Sequence, residues 1–304
     1  MARLTGRRVR SGNAERQKAM QKIEIAKLVA TKVEEILGKE TEAIESVKNN
    51  GVKYTGVTIK TDKEVSSIIY IDEFIERNLS VDEIAKKVAQ STKTHQTPEE
   101  VKTIATKIRD WAFAKTKIEK RLVSSSQDFK DIVNVKVPGT DLSFIYCISM
   151  NESVLGSASI KITSRLLDEW GIRLEELEEA ATLGEVVVQP MKEVLMEYGS
   201  MEMEDLEEAF EEESGMLVVS NKTRTFGAGC VLEALDQIQE KVKGREFYIL
   251  PSSVHEVLVV YGTDLDVKPL KEMVEMVNET EVSPEEILSY NIYKLTEEGL
   301  SIVE

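Results

Sequence analysis

The residues able to do chemistry are few and lie close together in the chain. Cys230 directly follows a Gly-rich turn, Gly227-Ala228-Gly229, and His255 comes one predicted helix and one predicted strand later. The patterning there predicts a strand over 216–220, the turn, and a helix over 230–242. A strand over 247–250, a kink at Pro251-Ser252-Ser253 and a strand over 255–261 follow. A thiol at a helix start feels the partial positive charge of unpaired N–H groups, which favours the thiolate. The glycines would let backbone N–H groups approach a substrate, as an oxyanion hole requires. Cysteine on a helix and then histidine on a strand is the order of papain-like enzymes, with Cys230 as nucleophile and His255 as base. No third group to orient His255 is evident. Glu256 falls on the opposite strand face, which leaves Asp264, Asp266 or Asn278. The plainer reading makes Cys230 a small buried hydrophobe. It places His255 on the apolar face of Val257, Val259 and Tyr261, and it is the commoner fate of such residues.

The other chemistries lack their signatures. The second histidine, His95, lies in the polar linker 91–97 and is assigned no role. There is no CxxC or HxxxH pair and no Asp-x-Asp-x-Asp-Gly loop, so no metal site is expected. GxxxxGK[ST] and GxGxxG phosphate loops and a Gly-x-Ser-x-Gly elbow are also missing, so no cofactor is expected. Aromatics interleaved with basic residues in the manner of RNA-recognition modules do not occur.

The elements that must position these residues belong to a chain of 304 residues, 41% hydrophobic and 31% charged, enough for two domains. No apolar run approaches the ~20 residues of a membrane span, and no signal-like apolar region opens the chain. Two scattered cysteines, Cys147 and Cys230, suit a reducing compartment, so a cytoplasmic protein is expected. The net charge of −16 argues against general affinity for nucleic-acid phosphates. Two charge runs stand out. Arg3, Arg7, Arg8 and Arg10 open the chain without an acid among them. Residues 193–213 hold many acids and no Lys or Arg. Each is either a solvated surface, the usual case, or a contact for an oppositely charged partner.

Residues 1–13 read as a disordered basic tail. A helix follows over about 14–48, with a break near Gly38 and an apolar stripe at Val29, Val33, Ile36 and Leu37. Asn49-Asn50-Gly51 is a turn, and strands follow over 53–60 and 67–71. Ser80-Val81-Asp82-Glu83 is a capping box opening a helix, and Thr97-Pro98-Glu99-Glu100 opens another. Beyond residue 116 come strands over 117–124, 135–149 and 157–163, short helices near 164–171 and 174–181, and a helix from Pro190 to about Phe210. A helix through Leu270, Met273, Val274 and Val277 comes next. Ser283-Pro284-Glu285-Glu286 reads as a third capped helix, and a hairpin ends the chain. Strands in adjacent pairs give an α+β fold with mainly antiparallel sheets. The expected division is 14–115, helical with a β-hairpin, and 116–304, an α+β domain.

Several segments together resemble a known family. They are Asn49-Asn50-Gly51-Val52, Gly56-Val57, Ile69-Tyr70-Ile71-Asp72, Glu169-Trp170-Gly171 and Phe226-Gly227-Ala228-Gly229-Cys230. Ile249-Leu250-Pro251-Ser252-Ser253-Val254-His255-Glu256-Val257, Val277-Asn278-x-Thr280 and Val282-Ser283-Pro284-Glu285-Glu286-Ile287-Leu288-Ser289 complete the set. They resemble an uncharacterised bacterial family known only as a domain of unknown function, over roughly residues 49–295. The resemblance implies a cytosolic protein of Gram-positive gut bacteria, often encoded on phage or conjugative elements, and it implies no activity. Two functions follow as expectations. The first is a non-enzymatic accessory protein that binds a protein or nucleoprotein, touching nucleic acid directly only through Arg3, Arg7, Arg8 and Arg10. The alternative is a hydrolase or acyl-transfer enzyme using Cys230 and His255.

Overall fold

The computed structural model describes residues 5–60, 68–94, 107–149, 159–197, 214–297 and 299–303. The chain divides into two compact units. One comprises Met1–Lys48 and Val52–Thr106, the other Asn49–Gly51 and Lys107–Glu304.

In the first unit a long helix α1 (Thr5–Leu37) is followed by an antiparallel sheet of β1 (Thr41–Val47), β2 (Lys53–Ile59) and β3 (Ile68–Tyr70). Among the described residues two further helices follow, α2 (Asp72–Glu76) and α3 (Val81–Thr94). α1 starts inside the stretch read as a disordered tail, because residues 5–19 are rich in Arg, Ala, Gln and Lys, good helix formers. It ends where Gly38 takes φ +63°, and residues 41–47, read as helix, form β1 instead. Pairing with β2 over the whole length of the strand overrides local helix propensity there. Ala26, Val29, Ala30 and Val33 of α1 pack on Val57, Ile59, Ile84, Ala85 and Val88. Ile36 is 45% exposed, since the buried stripe continues through position 37 instead. The predicted capping box forms: the Ser80 hydroxyl and amide both donate to Glu83 Oε2, and the Glu83 amide donates back to Ser80 Oγ.

The second unit holds two sheets. The first is β4 (Ile118–Ser124), β6 (Leu142–Ser149) and β5 (Asn134–Lys136), with β7 (Ser159–Lys161) paired to the other end of β6. Three short helices go with it: α4 (Trp111–Ala114), α5 (Ser164–Trp170) and α6 (Leu174–Ala180). Ile118, Tyr146, Ile148, Ile162 and Leu177 form the core between this sheet and α5 and α6. Thr163 caps α5, and Gly171 closes it at φ +68°.

The second sheet has six antiparallel strands in the order β13-β12-β10-β11-β9-β8. They are β8 (Val186–Pro190), β9 (Gly215–Asn221), β10 (Glu246–Pro251), β11 (Val257–Gly262), β12 (Tyr293–Thr296) and β13 (Gly299–Ile302). α7 (Met191–Glu197) follows β8. α8 (Leu235–Val242) and α9 (Val267–Thr280) are built on period-two burial in the strands. Leu217, Val219, Ile249, Val257 and Val259 share a cluster with Ile238 and Val242 of α8. Tyr248, Leu250, Leu258 and Val260 share another with Leu270, Met273 and Val274 of α9. The capped helix expected at Ser283 is a turn, closed by the Glu286 amide on the Ser283 carbonyl. The predicted helix opened by Thr97 and the acidic run beyond Glu197 lie outside the described residues, as does His95.

The β5–β6 turn is tied to β12 and β13. Asp141 Oδ1 accepts from the Tyr293 hydroxyl at 2.6 Å, and Oδ2 accepts from the Ser289 hydroxyl at 2.8 Å and from Asn291 Nδ2 at 3.2 Å. Burial, followed by the bond to Asp141, pushes the Tyr293 hydroxyl well above the ordinary tyrosine range. Gly139 sits in that turn at φ +73°, and a Cβ there would collide with the Leu300 carbonyl oxygen. Gly171 has a similar φ but open space. Gly139→Ala should therefore destabilise the second unit by more than about 2 kcal/mol, against about 1 kcal/mol for Gly171→Ala. Urea unfolding of the two variants side by side measures this, and equal costs would rule out the collision.

Candidate functional site

The segments that could do chemistry do converge. β9 ends in Asn221, and the loop after it is held by that side chain. Asn221 Nδ2 donates to the Leu183 and Thr225 carbonyls, and Oδ1 accepts from the Thr225 amide and the Thr223 hydroxyl. The loop then carries two non-glycine residues in the left-handed region, Arg224 at φ +52° and Phe226 at φ +53°. Next the chain bonds to the segment after β10: the Gly227 amide to the His255 carbonyl (3.0 Å) and the Ala228 amide to the Val254 carbonyl (3.2 Å). The Ser220 hydroxyl also donates to the His255 carbonyl, at 2.7 Å. On the other side the Val254 amide donates to the Glu286 carbonyl at 2.9 Å. Asn50 Nδ2 donates to the carbonyls of Pro284 and Ile287, both at 2.8 Å.

The His255 ring is engaged at both nitrogens. Nδ1 accepts from the Phe226 amide at 3.1 Å, which places the proton of the neutral ring on Nε2. Nε2 then donates to Glu286 Oε1 at 3.3 Å. The partner that orients His255 is thus Glu286, from the turn read as a capped helix, and not Asp264, Asp266 or Asn278. Asp266 caps α9, and Asn278 is buried with its Nδ2 on the Ser289 carbonyl. A base needs a free lone pair on the imidazole. In this arrangement the amide of Phe226 holds it.

Cys230 is elsewhere. It does not open a helix: residues 228–232 form a 3-10 turn, and α8 begins only at Leu235. The thiol is fully buried in the apolar core, and its one hydrogen bond is a long contact of 3.8 Å to the Leu183 carbonyl. Burial pushes it up to about 11, Glu233 adds to the rise and Lys120 opposes it. No hydrogen bond joins Cys230 to His255. The Gly-rich turn is explained by packing rather than by substrate. A Cβ at Gly229 would lie 2.7 Å from Leu183 and 2.8 Å from Phe144, and one at Gly227 would overlap Asn221. The amides of Gly227, Ala228 and Cys230 are already bonded to backbone carbonyls, so they form no oxyanion hole.

A residue that the pattern did not single out completes the cluster. Arg121 on β4 is 5% exposed and bonds Ser159 Oγ and Glu119 Oε2, both at 2.9 Å. Its guanidinium stacks on the Phe226 ring, 3.9 Å from the centroid, and that ring in turn packs on His255 at 5.2 Å. The only signal for it in sequence is a lone arginine inside a buried strand, IEKRLVS. Cys147 lies beside this arginine, and burial pushes its thiol upward too, although Arg121 and Lys161 oppose the rise. Among the described residues no group of three or more His, Cys, Asp or Glu is arranged to hold a metal ion.

The fold and the cluster define an α+β protein in which His255, Glu286 and Arg121 are joined through the backbone amide and the ring of Phe226. A family model described as a family of unknown function, DUF5688, matches residues 23–296, and the chain belongs to that family. The match begins upstream of the 49–295 span carried by the motifs and takes in part of α1. No curated protein and no solved structure matches the chain.

A thiol held near 11 is almost wholly protonated at pH 8, where a free cysteine is partly thiolate. Iodoacetamide should label Cys230 at least ~100-fold more slowly in the native protein than in the unfolded chain. Residue-resolved mass spectrometry reads this, and fast native labelling of Cys230 would contradict the burial described.

Proposed function

We propose that the chain is a non-enzymatic accessory protein of the cytoplasm that binds a basic protein or the basic face of a nucleoprotein. The observation that carries this reading is α6. Its Glu175, Glu176, Glu178 and Glu179 are all exposed, while Leu177 anchors the helix in the core. Glu176 has one distant cation, Arg173 at 3.9 Å, and Glu178 accepts from the Tyr146 hydroxyl. Among the described residues, Glu175, Glu178 and Glu179 have no ion-pair partner. The helix therefore adds uncompensated negative field to a chain of net charge −16, and such a field draws basic partners and disfavours bare phosphate backbones. The acids of 202–213 extend the same character in sequence, and Arg3, Arg7, Arg8 and Arg10 are the residues through which nucleic acid would be touched. Carriage on a phage or conjugative element, implied by the family resemblance, suits an accessory role. No step through Cys230 is part of this proposal.

The test is retention of cytosolic partners on the immobilised protein across a salt series. Retention should fall steeply between low and high salt, and replacing Glu175, Glu176 and Glu179 by Gln should weaken it about tenfold. Retention that ignores both salt and these substitutions would refute a charge-led interface on α6.

A further inference from the structure

The Phe226 loop is held shut by a bond that a proton would remove. His255 Nδ1 accepts the Phe226 amide, and an imidazole that carries protons on both nitrogens has no acceptor left. The closed loop and doubly protonated His255 exclude each other. We propose that Phe226 and His255 form a proton-sensitive latch, in which uptake of a second proton by His255 releases Phe226 from over Arg121.

Three observations converge on this. Phe226 is an aromatic residue at φ +53°, a backbone state that bulky side chains adopt only when the surroundings impose it. Thr225 before it stays on Asn221 and Gly227 after it stays on the His255 carbonyl, so the backbone strain released is that of Phe226 alone. Beneath the ring lies the buried Arg121 guanidinium, whose Nε has no hydrogen-bond partner among the described residues. Removing the ring would let water satisfy that donor. The hinge is bounded. On one side Asn221 grips Thr225, and on the other the Gly227 and Ala228 amides stay on the His255 and Val254 carbonyls, which protonation leaves unchanged.

The charged groups around the ring are few. Glu286 faces Nε2 from the 283–288 turn, and a second proton leaves that contact in place while it destroys the one to Phe226. Arg121 lies on β4 behind the Phe226 ring, paired with Glu119. Glu256 follows His255 in the chain. In the loop itself Lys222 pairs with Glu185 and Arg224 with Glu197. The ring is within reach of solvent protons, with its side chain 31% exposed.

Amide hydrogen exchange of the intact protein, read by NMR at Phe226 and corrected for the intrinsic pH dependence, tests the latch between pH 7.5 and pH 5. Histidine side chains ordinarily change charge across that range, around ~6.5. The His255 ring resonances report its protonation in the same samples. The expected result is a fall in Phe226 protection of about tenfold, in step with the His255 titration. Protection at Ile249, in the middle of β10, should not change. His255→Asn, which keeps an acceptor near the position of Nδ1 and does not titrate, should hold Phe226 protection constant across the range. A His255 that titrates while Phe226 protection stays level would overturn the proposal. So would a His255 that stays unprotonated down to acid unfolding, or a pH response that survives His255→Asn.

Discussion

The segment between β10 and β11 is the constraint on which the rest of the second unit turns. Ser252 to Glu256 leaves the sheet, so its peptide groups lose their ladder partners and must find others. They find them in three separate stretches of chain. The carbonyls of Val254 and His255 take the amides of Ala228 and Gly227, the His255 carbonyl takes the Ser220 hydroxyl as well, and the Val254 amide reaches the Glu286 carbonyl. The His255 side chain then repeats the pattern, one nitrogen to the Phe226 amide and one to the Glu286 carboxylate. A single irregular segment thus ties the end of β9, the 3-10 turn and the lead-in to β12.

This arrangement accounts for the residues that look catalytic in isolation by packing and backbone bonding. Glycines at 227 and 229 are needed because backbone and side chains of β9 and β6 approach too closely for a Cβ. Cys230 follows them into the core, where desolvation disfavours the thiolate. Arg121, the one charged residue buried in the second unit among the described residues, is compensated by Glu119, by Ser159 and by the face of Phe226. A buried guanidinium with a partner on each side is tolerable, and one without them would not be.

Much of the architecture was legible from period and punctuation. The alternation through 142–149 and 257–261, the stripe of α3, its Ser80–Glu83 box and the final hairpin all follow from rules that act locally. The failures have non-local causes. Residues 41–47 have no strong strand signal and become a strand because β2 pairs with them along their whole length. The SPEE turn has the letters of a helix start, yet the Glu286 peptide and carboxylate are committed to Val254 and His255 instead. The candidate site was half legible. His255 was singled out by residue type, but its partners Phe226, Glu286 and Arg121 stand far from it in sequence. Nothing in spacing reveals that a backbone amide occupies the lone pair of a histidine.

The most direct measurement compares chemical denaturation of the native protein with His255→Ala and His255→Asn at pH 7.5. A structural histidine predicts that the Ala variant loses about 1–3 kcal/mol, because the half-buried Phe226 amide is left without its acceptor. The Asn variant, which can still accept that bond, should recover most of the loss. An Ala variant as stable as the native protein would contradict the central role given to His255 and return it to the surface as an uncommitted side chain.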